Sequence, residues 1–390
     1  MPRFRSGVGR MPRSGSRPIP VPAMAEVRAH DKFACPACGA DARWDASRQS
    51  LVCPYCSTVS PAKLADDGSL IEENDLTMAL RGLGAEQRGW QAETRSVRCR
   101  NCQAISVFDP KRVAQRCDFC GSPAIVPVEE QSAPIRPSSL LPFQVPDATV
   151  REQMRRWYAT RWFAPNKLKA RAITDTLHGV YLPYWTFDAQ ASAHWTAESG
   201  YHYYETETYR DSNGNQQTRR VQRTRWVPSS GSLEHFFDDE LVSGSKGVRG
   251  DLLGKIEPFP TTTDLKPYDP GYVAGWVVEQ YQIDLIAAAQ HSRGSMDAKL
   301  RSMCASQVPG DTHRNLNVRA RYSGQTFKHI LAPVWLLSYV YGRRTFQVVV
   351  NGCTGSIAGD RPYSWIKIAL FVLLLLAVGG VVALIAGANR

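Results

Sequence analysis

Three features of the 390-residue sequence predict an α+β protein. A Cys-x-x-Cys pair occurs four times in the first third, a long middle stretch alternates polar with apolar residues, and nineteen uncharged apolar residues close the chain. The expected architecture is two N-terminal four-cysteine zinc ribbons, a β-rich middle domain with a few helices, and one C-terminal transmembrane helix.

Residues 1–30 carry Arg3, Arg5, Arg10, Arg13 and Arg17 among Pro, Ser and Gly, with no apolar run. They are expected to be a disordered basic lead, untranslated if synthesis starts at Met24, and not a secretory signal. The lead also holds five of the net +11 charges, so the remainder is only mildly basic and shows no nucleic-acid footprint.

Eight of the ten cysteines form two sets. Cys35, Cys38, Cys53 and Cys56 make the first, within 31–62; Cys99, Cys102, Cys117 and Cys120 make the second, within 95–126. Fourteen residues separate the two pairs in each set. That distance lets a short hairpin fold back and present four thiolates to one tetrahedral ion. Gly39 and Gly121 follow a knuckle, where positive φ is needed. A four-thiolate set leaves no open coordination position, so two structural Zn2+ per chain are expected and no catalytic metal. A redox Cys-x-x-Cys would need one pair in a βαβ setting, not four pairs in two hairpins. Around the second set, Arg98, Arg100, Lys111, Arg112 and Arg116 offset the negative metal–thiolate charge or contact nucleic acid; the first reading asks for less.

Residues 63–94 are a spacer whose helix, at 72–83, carries Leu76, Leu80 and Leu83 and packs the ribbons together. A Pro-rich linker follows at 127–146. The β-rich domain, 147–362, opens with a helix that turns Val150, Met154, Trp157 and Tyr158 inward behind Asp147 as cap. Long alternation on both sides of Asn213-Gly214 predicts a hairpin, with Tyr201 opposite Trp226, Tyr203 opposite Thr224 and Glu207 opposite Arg220. A helix over 282–305 is expected to bury Ile283, Ile286, Ala287 and Leu300. Two strands joined at Gly342-Arg343 finish the domain. LPYWTFDA and APVWLLSY both set Pro-x-Trp at the mouth of a strand, a faint internal echo.

Residues 366–386 read as a tail anchor, with Tyr363 and Trp365 at the interface beside Arg361 and Lys367. The bulk of the chain is then expected in the cytoplasm, where thiols stay reduced.

Catalytic signatures are missing: there is no P-loop, no Gly-x-Ser-x-Gly elbow and no His-Glu-x-x-His. His235, Asp238 and Asp239 in EHFFDDE form a metal set or, more simply, a polar loop pinned by its phenylalanines. Cys304 and Cys353 lack an implied base. The aromatic and basic 201–226 hairpin suits stacking of single-stranded nucleic acid or ordinary sheet packing.

PIRPSSLLPF, GVYLPYWTFDA, RTRWVPSSG, FFDDELV, LKPYDPGYVAGW, TFKHILAPVWLLSYVY, VNGCTG and GDRPYSWIK together resemble a bacterial family. Its members are TFIIB-type zinc ribbon-containing membrane proteins, often labelled primosomal protein N′ (replication factor Y)–superfamily II helicase-like. The resemblance runs from about residue 33 to the end. Cys353 stands where the family more often carries Gln. No motor is encoded, so helicase activity is not carried over. The resemblance implies a single-pass protein of the bacterial inner membrane, with SPFH-type or phage-shock-type partners in a membrane-stress complex. The expected function is a non-enzymatic, tail-anchored protein-docking scaffold; the alternative is a membrane-held nucleic-acid-binding factor of replication or transcription.

Overall fold

A computed structural model describes residues 33–66, 71–82, 95–108, 116–128, 134–161, 163, 177–210, 212, 215–341 and 344–388. The basic lead and the Asn213-Gly214 turn lie outside these residues.

Strands dominate. The first ribbon is a separate hairpin of β1 (Arg43–Asp45) and β2 (Ser50–Val52). β3 (Asn74–Asp75) runs into α1 (Leu76–Arg81), whose Asp75 side chain accepts from Met78 N at 2.8 Å. The second ribbon supplies β4 (Arg95–Cys99), β5 (Ile105–Phe108) and β6 (Ile125–Pro127). β7 (Ser139–Leu140) and α2 (Asp147–Ala159) lead to two long neighbours, β8 (Leu177–Arg210) and β9 (Gln216–Ser243). Next come α3 (Gly250–Ile256), β10 (Lys266–Pro267), β11 (Val277–Gln280) and α4 (Leu285–Gln307). β12 (Thr312–Tyr341), β13 (Arg344–Asn351), β14 (Ile357–Gly359) and α5 (Trp365–Ala388) complete the chain.

Twelve of the strands make one mixed sheet in the order β10-β7-β12-β8-β11-β5-β4-β6, with β3 and β13 on β12, β14 on β13, and β9 on β8. The protein is therefore mostly β, which corrects the α+β class. Physically, the middle strands are too long to be units of a small domain, and they draw the second ribbon into the same sheet through β11 and β5. From Val180 to Phe187 every residue of β8 is buried, because both faces are covered. Further along, Ala189, Ala191, Ala193, Trp195 and Ala197 face inward and Gln190, Ser192, His194 and Thr196 outward, the period of a half-covered strand.

The predicted hairpin is present, but one residue out of register: Tyr201 faces Arg225, Tyr203 faces Arg223 and Glu207 faces Arg219. Two Trp–Gly cross-strand pairs account for the shift. Gly200 lies opposite Trp226 and Gly231 opposite Trp195, and a Cβ on either glycine would come within 2.8 and 2.5 Å of the indole. The ladder closes at Arg210–Gln216, so the connection is longer than a two-residue turn.

The helices show similar shifts. α2 buries Val150, Met154 and Tyr158 as expected, but Pro146 is the cap position and Asp147 instead pairs with Arg151 at 2.9 Å. α4 buries Leu285, Ala288, Ser292, Met296, Leu300 and Cys304, leaving Ile286 exposed. Asp284 accepts from Ala287 N at 2.8 Å and starts the helix at Leu285, which sets this phase. Leu76 of α1 packs against the sheet with Trp185 and Phe187, not between the ribbons; Leu80 is exposed and Leu83 lies outside the described residues.

The two Pro-x-Trp segments pair with each other. Leu331 stands opposite Pro183 and Pro333 opposite Tyr181, so the echo is a local two-fold arrangement in the β8–β12 ladder.

The C-terminal apolar run does form a helix, α5, and Phe371 packs edge-on against Phe163 at 5.5 Å. Its side chains are described as far as Val381. Among the described residues no helix is long and apolar enough to cross a membrane. The transmembrane span at 366–386 and the single-pass inner-membrane localisation are corrected accordingly.

Candidate metal centres

All eight predicted ligands come together as two sets of four. In each set one sulfur per cysteine lies within 4.8 Å of the others. Cys35–Cys56 and Cys38–Cys53 approach to 3.5 Å, and Cys99–Cys120 and Cys102–Cys117 to 3.6 Å. These separations are far too long for disulfides, and all the cysteines are free. Sulfurs about 2.3 Å from a central ion would stand about 3.8 Å apart, so the donor sets fit a tetrahedral ion. The two four-cysteine groups could thus hold metal ions, consistent with zinc.

The convergence is built from one local unit used four times. In each knuckle the first cysteine's carbonyl accepts from the N–H four residues on: Gly39, Ser57, Gln103 and Gly121 donate at 2.8 to 3.0 Å. The same cysteine donates its own N–H to the carbonyl of Ala40, Thr58, Ala104 or Ser122 at 2.7 to 2.9 Å. The four donors all have positive φ: 72° at Gly39, 59° at Ser57, 66° at Gln103 and 70° at Gly121. The repeating left-handed position was legible only at the two glycines. At Ser57 and Gln103 residue type concealed it.

Polar groups also aim at the sulfurs. The Thr58 hydroxyl is 3.2 Å from Cys56 Sγ, and its hydrogen bond pulls that thiol down to about 6. Asn101 donates Nδ2–H to Cys120 Sγ at 3.5 Å and its N–H to Cys99 Sγ at 3.4 Å, while Phe119 N donates to Cys117 Sγ at 3.4 Å. Thiol contacts from Cys102 and Cys117 hold Cys120 well below the usual thiol range, and those from Cys117 and Cys120 push Cys102 well above it. Four sulfurs this close cannot all ionise without a cation among them.

The sets differ in burial. Cys38 and Cys56 are exposed, whereas Cys99, Cys117 and Cys120 belong to a core cluster with Phe119, Leu141, Val180 and Leu252. The first ribbon docks through Trp44, whose Nε1–H donates to the Phe143 carbonyl at 3.3 Å and whose ring meets Tyr272 edge-on at 4.8 Å.

A third acidic set, Asp188, Asp238 and Asp239, has carboxylates close enough for a metal. Asp188 was not singled out in the sequence; a lone acid in the apolar run LPYWTFDA was its signal. His235 is not part of the set and instead packs against Phe237 at 4.6 Å. An ammonium already occupies this place: Lys328 Nζ lies 2.9 Å from Asp239, 3.0 Å from Glu73 and 3.7 Å from Asp188. Burial works to lower the Lys328 pKa, but the three carboxylates hold it above the ordinary lysine range. The strand is bulged here, between Phe187 and Ala189, and Asp239 N donates to Asp188 Oδ1 at 2.6 Å. Cys304 and Cys353 are buried, and burial pushes both thiols up, Cys353 to about 12. Neither is a poised nucleophile.

No family model matches the chain, and no solved structure matches it. It is 26% identical over 347 residues to the "Uncharacterized protein YdjG" of Bacillus subtilis (strain 168), covering 86% of this chain and 92% of that relative. The likeness spans nearly the whole length and so extends well beyond the cysteines.

Proposed function

We propose that this chain is a non-enzymatic protein-docking scaffold in which each ribbon closes around one structural zinc ion. The convergence of eight thiols into two closed four-donor sets carries the reading. Four protein sulfurs around one ion leave no position for substrate, and the ion makes up for apolar area that so short a hairpin lacks. The resemblance to TFIIB-type zinc ribbon-containing proteins supports the metal more than any activity.

Elemental analysis is expected to find two zinc ions per chain. Cys53→Ser should lose one and spare the other; unchanged metal content refutes the assignment. Docking is tested by quantitative pulldown of the tagged full chain beside Cys53→Ser and Cys99→Ser. Each variant should lose a defined set of bound chains, and identical sets refute ribbon docking.

The second reading, a nucleic-acid-binding factor, draws on the arginine–tyrosine stacks of the β8–β9 hairpin, where Arg220 lies 4.9 Å from the Tyr204 ring. Binding to single- and double-stranded DNA should then fall steeply with salt, whereas a slope near zero dismisses it.

A further inference from the structure

Among the described residues β9 pairs with β8 and with no other strand. On the other side of β8 the ladder to β12 begins only at Thr312, opposite Gly200. Tyr201–Arg210 and Gln216–Arg225 therefore run as a two-stranded ribbon of ten paired positions, about 33 Å long. Such a ribbon is marginal in water, and a third strand is what makes a small sheet stable.

Two residues show which backbone groups face the free edge. Pro228 sits in the ladder opposite Glu198 but has no N–H, so its nitrogen faces away from β8. His202 donates its N–H to Asp311 Oδ2 at 2.7 Å, outside the β8–β9 pair, so its partner Thr224 also turns its N–H outward. By the same alternation Gln222, Arg220 and Thr218 face the edge.

Charge narrows the occupant. From Gln216 to Val227 the charged residues are Arg219, Arg220, Arg223 and Arg225, with no acid. Glu205 and Glu207 of β8 pair with Arg219 and Arg223. Arg220 and Arg225 lie over the rings of Tyr204 and Tyr201, at 4.9 and 5.9 Å, and have no carboxylate partner among the described residues. A second copy of β9 on this edge would set arginine against arginine. Phosphate would meet the same arginines, but also Glu205 and Glu207, and nucleic acid has no row of amides to pair with the edge. A protein strand with acidic side chains satisfies both the backbone and the charge.

We propose that the outer edge of β9, residues 216–227, takes up an extended acidic segment of a partner protein as a third strand, with Pro228 ending the site. The surface belongs to neither ribbon, so the inference stands apart from ribbon docking.

The test uses the zinc-loaded full chain and a labelled peptide of about twelve residues, alternating threonine and glutamate. Anisotropy should show binding below about 1 mM, and amides of 216–227 should gain protection from hydrogen exchange. Replacing glutamate by lysine, or N-methylating alternate residues, should abolish both. Arg220→Glu with Arg225→Glu should weaken binding about tenfold or more. Gln222→Pro removes one outward N–H without touching the β8 ladder and should abolish protection; unchanged circular dichroism and zinc content qualify it. No binding, equal binding of the N-methylated peptide, or protection outside 216–227 overturns the proposal. So does tighter competition by single-stranded DNA for the same amides, or edge-to-edge dimerisation through β9.

Discussion

The second cysteine of every knuckle is followed by a left-handed residue, and two of these four positions lack glycine. A side chain there costs about 1–2 kcal/mol. Ser57→Gly and Gln103→Gly should therefore each stabilise the metal-loaded protein by about 1 kcal/mol, read as a higher denaturation midpoint, whereas Gly39→Ala and Gly121→Ala should lower it. Equal midpoints for all four would show that the strain is relieved elsewhere. Lys328 is the other decisive residue. Its ammonium neutralises two buried carboxylates, Asp188 and Asp239, and the exposed carboxylate of Glu73, each from a separate segment. Lys328→Met should cost about 3–5 kcal/mol in urea unfolding, because it leaves buried acids without a counter-charge. Fully restored stability in the Asp188→Asn, Lys328→Met double variant would confirm that pairing, not packing, is at stake. The ligand cysteines were legible because a tetrahedron of sulfurs demands one short, fixed spacing. Asp188 was not, since its role depends on Lys328 and Asp239, which reach it only through the folded sheet.

At the scale of elements, β11 is the strand that ties the second ribbon to the body, pairing with β5 on one side and β8 on the other. Its Glu279 faces Ser106 of the ribbon, is fully buried, and has no hydrogen bond of normal geometry to either carboxylate oxygen among the described residues. Burial pushes its pKa from 4.5 to about 7, while Ser245, Gln282 and the Gly247 N–H oppose the shift. A raised carboxyl pKa means that the unfolded chain ionises first. Stability from this group is full below about pH 4.5 and is lost as pH rises to about 7, by on the order of 3 kcal/mol. Glu279→Gln should flatten stability against pH over that window; an unchanged slope would place the titration in another group. Hairpin, helices and strands were visible as periodic patterns. Their phase was not: Gly200 opposite Trp226 accompanies a one-residue shift of the hairpin, and the Asp284 cap starts α4 at Leu285 with Ile286 exposed while Leu300 is buried as expected; neither shows in hydrophobic alternation.

Across the whole molecule the ribbons are part of the body. Sulfur-bearing residues of the second ribbon share a core with β8 and α3, and the first ribbon's Trp44 shares another with Phe143 and Tyr272. Chelation should therefore lower the thermal midpoint of the large sheet and not merely melt two hairpins. Near-ultraviolet circular dichroism from the core tryptophans should fall in step with zinc release. A body that keeps its midpoint after both ions are removed would show that the ribbons are passengers. The expected lipid anchor is corrected at this same scale, since among the described residues no helix is long and apolar enough to cross a membrane.

The sequence by itself determined the eight sulfur donors, the long β-hairpin and the existence of most helices, because each is governed by bond lengths or by a period of a few residues. Only the tertiary structure decided that one sheet joins the second ribbon to the middle strands, that Lys328 sits among three acids, and that Glu279 is sealed in the seam. Those facts join residues tens to hundreds of positions apart, where packing across strands chooses the partner and local chemistry carries no trace of the choice.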